Sequence, residues 1–127
     1  MIVLKKVQRP NPKDVSAARK FYVSAQNSGE ITLEEMSEEI SDRCTLTESD
    51  VLAALSALQH EMIKNLLAGK IVRFGTFGSF QLSLNSKGVE TADDASQSQV
   101  RGVRVRFRPG MRIQNSLRSL KYTFVAE

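Results

Sequence analysis

The chain has 127 residues, 41% hydrophobic and 25% charged, a balance that excludes a disordered polymer and suits one domain with its own core. One cysteine and one histidine exclude a disulfide framework and a Cys/His zinc site, so neither a metal nor a cofactor is expected. The net charge of +4 conceals a segregation: +5 over residues 1–20, −6 over 28–70 and +5 over 71–127, the distribution of a fold that turns a positive face to a polyanion and a negative face to water.

Along the chain, no apolar run approaches the roughly 20 residues that cross a bilayer. Met1-Ile-Val-Leu-Lys-Lys has too short an apolar stretch for a signal peptide, so a cytoplasmic protein with no membrane partner is expected. Ile2-Val-Leu reads as a short strand, and the two prolines of Gln8-Arg-Pro-Asn-Pro stop regular structure after it. Phe21-Tyr-Val is a second β-like run, closed by the turn signal Asn27-Ser-Gly29. The pairing of these strands is open, with Tyr122–Val125 a candidate neighbour.

Thr32-Leu-Glu-Glu35 has the form of a capping box. Leu33, Met36, Ile40 and Cys44 follow at i, i+3, i+7 and i+11 as one helical stripe, opposite a solvated face of Glu34, Glu35, Glu38, Glu39 and Asp42. On this reading Cys44 is a core residue. Thr47-Glu-Ser-Asp50 caps a second helix that ends at Gly69 and spans about 30 Å. Its apolar positions, Val51, Leu52, Leu55, Leu58, Met62, Ile63, Leu66 and Leu67, cover an arc too wide for one short helix, so either a sheet plus a partner subunit, or dimer formation, is expected to cover it. His60 is a polar-face residue beside this seam.

From residue 70 the period changes. Ile71-Val-Arg-Phe74 is a strand, Gly75-Thr-Phe77-Gly-Ser79 a glycine-marked turn, and Phe80, Leu82 and Leu84 alternate with polar residues as in a half-buried strand. Residues 85–102 have little apolar content and project as an arm if the flanking strands pair. Val103, Val105 and Phe107 then alternate with Arg104, Arg106 and Arg108 up to Pro109-Gly110, and a short helix over Met111–Leu120 precedes the strand-like Tyr122–Val125.

The arginine row is the most informative feature. Alternation puts its three guanidiniums on one face about 6–7 Å apart, while the apolar residues anchor the other. Like charges in a row repel, so the arrangement gains from a polyanion that neutralises it. Phosphates recur at comparable intervals along a nucleic-acid strand, and arginine meets phosphate with a preformed fork. A charged edge that resists aggregation is the other reading, although lysine would serve it equally well. No enzyme and no small-molecule substrate is expected: His60 has no second histidine for a dyad, and no glycine-rich loop runs into a helix with Lys-Ser/Thr.

Val72-Arg-Phe-Gly-Thr-Phe-Gly-Ser-Phe80 resembles the Arg-containing strand and Gly-Phe-Gly-Thr-Phe-like turn of the HU and integration host factor family of bacterial histone-like DNA-binding proteins. Phe107-Arg-Pro-Gly110 is similar to that family's Phe-Lys-Pro-Gly before its last helix, and the order of elements agrees. The resemblance covers about residues 30–120 and marks a longer HU-like subfamily. A single HU-like domain over 1–127 would comprise an N-terminal β extension (1–29), a body (30–120) with its arm at 85–102, and a C-terminal strand (121–127).

The resemblance implies an α+β fold: two N-terminal helices, a β-hairpin with a long arm, a C-terminal helix, and an intertwined homodimer. Phe77, Phe80 and Phe107 would form the aromatic centre of the dimer interface, with Leu52, Leu55 and Leu58 around it. The paired sheets would make a saddle whose arms embrace double-stranded DNA in the minor groove. Lys87, Arg101, Arg104, Arg106, Arg108 and Arg112 are the expected DNA-binding residues, helped by the basic N-terminus. One departure stands out: the arm contains no proline and carries Glu90, Asp93 and Asp94 against Lys87 and Arg101. An acidic tip meets like charge in a minor groove, so wedging between base pairs is not expected while saddle binding is. The function expected is that of a non-catalytic, sequence-tolerant, architectural protein that condenses DNA in the nucleoid. The alternative is an HU-like self-association or protein-interaction module that has lost DNA binding.

Overall fold

The structure, a computed structural model, describes residues 1–125. Its elements in order are β1 (Ile2–Arg9), β2 (Lys20–Gln26), α1 (Leu33–Ser41), α2 (Glu48–Leu67), β3 (Val72–Arg73), β4 (Gly78–Ser86), β5 (Val100–Pro109), α3 (Met111–Leu117) and β6 (Tyr122–Phe124). They divide into two compact units, one of residues 1–31 with the described residues from Ser116 to Val125, the other of Thr32–Asn115.

In the first unit β1 is the central strand. It pairs antiparallel with β2, from Val3 opposite Gln26 to Arg9 opposite Lys20, and parallel with β6, Ile2 opposite Tyr122 and Leu4 opposite Phe124. The ladder therefore runs well past Ile2–Leu4 through Lys5, Lys6, Gln8 and Arg9, because cross-strand pairing outranks the weak strand preference of those side chains. The β1–β2 connection is pinned locally: the Asn11 side chain accepts from the Lys13 amide at 2.9 Å. Asp14 accepts from both the hydroxyl (2.6 Å) and the amide (3.1 Å) of Ser16, bonds that hold its carboxyl below the usual range. The Lys6 ammonium lies 5.5 Å from the centre of the Phe124 ring.

In the second unit both predicted N-caps are present, although among the described residues the Glu35 side chain does not return the bond that would complete a capping box. Thr32 Oγ1 accepts from the Glu35 amide and Thr47 Oγ1 from the Asp50 amide, each at 3.2 Å. The far end of α2 closes as a Schellman motif, with Gly69 N–H donating to Leu66, Lys70 N–H donating to Asn65, and Gly69 at φ +79°. The stripe expected on α1 is corrected. The helix ends at Ser41, Cys44 lies in the following turn and is exposed, and Met36 and Ile40 are 37% and 40% exposed. Thr47 must take extended backbone to cap α2, so the chain has to leave helical geometry before it. Fully buried instead is Ser37, whose hydroxyl donates to the Leu33 carbonyl at 2.8 Å. Its small side chain sits on the better-covered line Leu33–Ser37–Ser41.

The sheet order is β3-β4-β5, all antiparallel. Phe80 faces Val72 and Phe107, Leu82 faces Val105 and Leu84 faces Val103, so one face is apolar throughout. The two glycine motifs meet at one end. Gly110 N–H donates to the Phe77 carbonyl at 2.8 Å, and Gly78, buried at φ +151°, lies against the Arg108 backbone and the Phe107 ring. Phe74, Phe77, Phe80 and Phe107 form a chain of rings with centroids 4.8–5.6 Å apart.

The interior of a single chain is nonetheless sparse. Among the described residues Val51 and Leu66 are the buried hydrophobics, whereas Ile63, Leu67, Val103, Val105, Phe77 and Phe107 are 41–75% exposed. The chain exposes 10996 Å². A folded chain of this mass exposes about 6,700 Å², and about 8,000 Å² even with its two units counted as separate bodies.

Candidate nucleic-acid interface

The apolar and polar faces of the β3-β4-β5 sheet are fixed by one register. Directly opposed residues share a face, and Ser79 faces Arg108, Gln81 faces Arg106 and Ser83 faces Arg104. The guanidiniums of Arg104, Arg106 and Arg108 therefore stand on one side of β5 beside a stripe of short neutral polar side chains on β4. All three arginines are exposed. Among the described residues none of the three makes an ion pair or a side-chain hydrogen bond. Their charge is left for solvent or for a ligand.

Sequence reasoning missed Arg73. It lies on β3 opposite Ser79, on the same face as the row, and is exposed. The polar face thus carries arginines on both outer strands and hydroxyl or amide groups between them.

The other expected contacts are placed less regularly. Arg101 falls at a register shift between Asn85 and Ser86, so strict alternation does not carry it into the row. Lys87 stands at the base of the hairpin loop, where its backbone is occupied: its N–H donates to the Gln99 carbonyl at 2.9 Å, and the Gln99 side chain returns a bond to its carbonyl. Arg112 is in the first turn of α3, exposed and engaged with its surroundings. Among the residues expected at a dimer interface, Leu52, Leu55, Leu58 and Phe80 are half-covered, and Phe77 and Phe107 are more than 40% exposed.

The arm, read from sequence only as a projection poor in apolar residues, has local order of its own. The strands run to Ser86 and from Val100, and the loop between them folds on itself through two single 3₁₀ turns at Ala92–Asp94 and Gln97–Gln99. Thr91 Oγ1 donates to the Asp94 carboxylate at 2.8 Å, and the Gln99 side-chain oxygen accepts from the Ser96 amide at 2.6 Å. Glu90, Asp93 and Asp94 remain exposed on this loop.

The described residues contain no cluster of His, Cys, Asp and Glu able to hold a metal ion, and no helix among them is long and apolar enough to cross a membrane. The family model for an HU domain fused to a wHTH, Ig or glycine-rich motif (HU-HIG) matches residues 2–124. No curated protein matches the chain at a significant level. Among solved structures the chain is similar to the crystal structure of a "Putative bacterial DNA binding protein" from Bacteroides vulgatus ATCC 8482, with 12% identity and a TM-score of 0.64. That match covers 98% of this chain and 49% of the other, so this chain spans about half that protein's length. At such identity the likeness is one of fold.

Proposed function

The chain belongs to the HU-HIG family, and from that membership we propose that it is a non-catalytic, sequence-tolerant DNA-binding protein that acts as a homodimer and shapes DNA in the bacterial nucleoid. The observation that carries the reading is the exposed row of Arg104, Arg106 and Arg108, which makes no ion pair among the described residues and is backed by an apolar sheet face. Such a row meets phosphates, which position a protein on DNA without reading its sequence. The exposed Phe77, Phe107, Val103 and Val105 supply the surface on which two protomers would close, making one HU-like domain per chain with the 1–29 strands as its extension.

Binding to unrelated duplexes, followed by fluorescence anisotropy from about 50 to 300 mM salt, tests this. With four to six phosphates contacted per dimer, affinity falls with a log–log slope of roughly −4 to −5. Binding weaker than millimolar at low salt, or with no salt slope, rejects it.

The acidic, self-bonded loop at 87–99 favours a second reading, in which carboxylates of one dimer pair with arginines of another and the protein assembles on itself. Replacing Arg104, Arg106 and Arg108 together by Ala separates the two. The DNA reading expects lost binding and an unchanged dimer mass; the second expects smaller assemblies.

A further inference from the structure

Two clefts adjoin at the end of the sheet remote from the loop. One, of about 250 Å³, is lined by Ile71, Arg73, Ser79, Gln81, Arg106 and Arg108 among others. The other, of about 200 Å³, is lined by Arg73, Ser79, Arg108 and the backbone of Gly75, Gly78 and Gly110. They share Arg73, Ser79, Arg108 and Pro109, and no Asp or Glu lines either one. Every charged group in the walls is thus a guanidinium, and both volumes lie below the roughly 300–1,000 Å³ of sites for larger organic ligands.

The register explains why these residues converge. Arg73 on β3, Ser79 on β4 and Arg108 on β5 lie at one level across three neighbouring strands and on one face. With strands about 4.8 Å apart, the two arginine Cα atoms stand roughly 10 Å from each other with a hydroxyl between them. Two guanidinium forks at that spacing can close on the oxygens of one tetrahedral anion from opposite sides, while the serine donates from below. Arg104 and Arg106 lack this arrangement, because β3 is only two residues long and no third strand faces them.

We propose that Arg73, Ser79 and Arg108 form a phosphate clamp at the β3 side of the sheet, which makes Arg73 a DNA contact outside the β5 row. The clamp rests on the DNA reading of this face. It seats one backbone phosphate per protomer and fixes where the strand leaves the row, whereas the row alone lets a strand slide along it.

The test compares Arg73→Ala, Arg73→Lys and the triple variant R104A/R106A/R108A with the unaltered protein on one duplex across a salt series, with dimer mass checked for each. The clamp expects Arg73→Ala to weaken binding about tenfold near 100 mM salt. It also expects the log–log slope to become shallower by roughly 2, one phosphate per protomer. Arg73→Lys keeps the slope and loses affinity, since an ammonium is a point charge without the fork. If Arg73→Ala binds like the unaltered protein while the triple variant does not, the clamp is wrong and the DNA reading stands.

Failure of the triple variant to alter binding removes this face as the DNA contact, and absence of binding by the unaltered protein removes the DNA reading; in either case an NMR titration with pyrophosphate decides on the clamp. Saturable shifts at the side chains of Arg73 and Ser79 support a phosphate site filled from another source. Absence of such shifts overturns it.

Discussion

A β-carbon on Gly110 would collide with the Thr76 carbonyl, and one on Gly78 would sit 2.5 Å from the Arg108 carbonyl oxygen and 2.6 Å from the Phe107 ring. Both obstacles are held in place, one by backbone and the other by backbone and a packed ring, so neither can swing aside. Gly110→Ala is therefore expected to destabilise the protein by about 2 kcal/mol or more, whereas Gly88→Ala, with open space around it, stays within about 0.5 kcal/mol. Urea midpoints at one protein concentration, with unchanged m values, check both. The glycines were legible as motifs before their contact was visible; that the two motifs touch could be known only from the fold. The arginines show the same division. Arg104, Arg106 and Arg108 declared their common face because three alternations beside Val103, Val105 and Phe107 leave one solution. Arg73 sits in a two-residue strand between Val72 and Phe74, too short for a period, and its face is decided by the partner Ser79. Cys44 was misplaced for the opposite reason: its spacing fits a helical stripe that the cap of the next helix cuts short.

A long period closed by strong signals at both ends is legible in sequence: the expected helix from the Thr47 cap to Gly69 matches α2 to within a residue or two. Its Thr47 cap supports a prediction of ordinary size: Thr47→Ala costs about 1 kcal/mol in the urea midpoint, since the Asp50 amide loses its acceptor. What sequence could not supply was any stability that comes from a neighbour. The polar half of β1 is a strand because β2 lies beside it, and the hairpin loop is ordered because Gln99 ties its two ends. Gln99 bonds the Ser96 amide through its oxygen, as the local capping-box pattern Ser96-x-x-Gln99 allows, and the Lys87 carbonyl through its nitrogen, a bridging closure that no local pattern reveals. Gln99→Ala should open the loop without loosening the sheet. Hydrogen exchange then speeds up within residues 87–99 while amides of Phe80 to Leu84 keep their protection. Unchanged exchange in the loop would mean that its 3₁₀ turns hold without the bridge. Because the tip is acidic, the same variant is expected to bind DNA like the unaltered protein, in contrast to variants on the arginine face.

At the scale of the molecule the decisive quantity is uncovered apolar surface. A chain with Phe77, Phe107, Val103 and Val105 each more than 40% exposed, and with thousands of square ångströms beyond what a compact body shows, has not closed its core alone. Two such protomers burying that face against each other would form an interface of the size and apolar character of obligate dimers. Folding is then linked to association, and each tenfold rise in protein concentration adds about 1.4 kcal/mol to the stability of the dimer. For an assembly of twice 14.1 kDa that corresponds to a thermal midpoint about 3–5 °C higher per tenfold concentration. Phe107→Asp sharpens the test, since a carboxylate in that face is buried without a partner only if the dimer forms. The expected outcome is a sedimenting mass near 14.1 kDa, a midpoint that no longer depends on concentration, and lost DNA binding although every arginine is intact. Wild-type protein with a monomer's mass and a concentration-independent midpoint would remove the dimer. It would also remove the paired arrangement of arginine rows on which the proposed salt dependence is built.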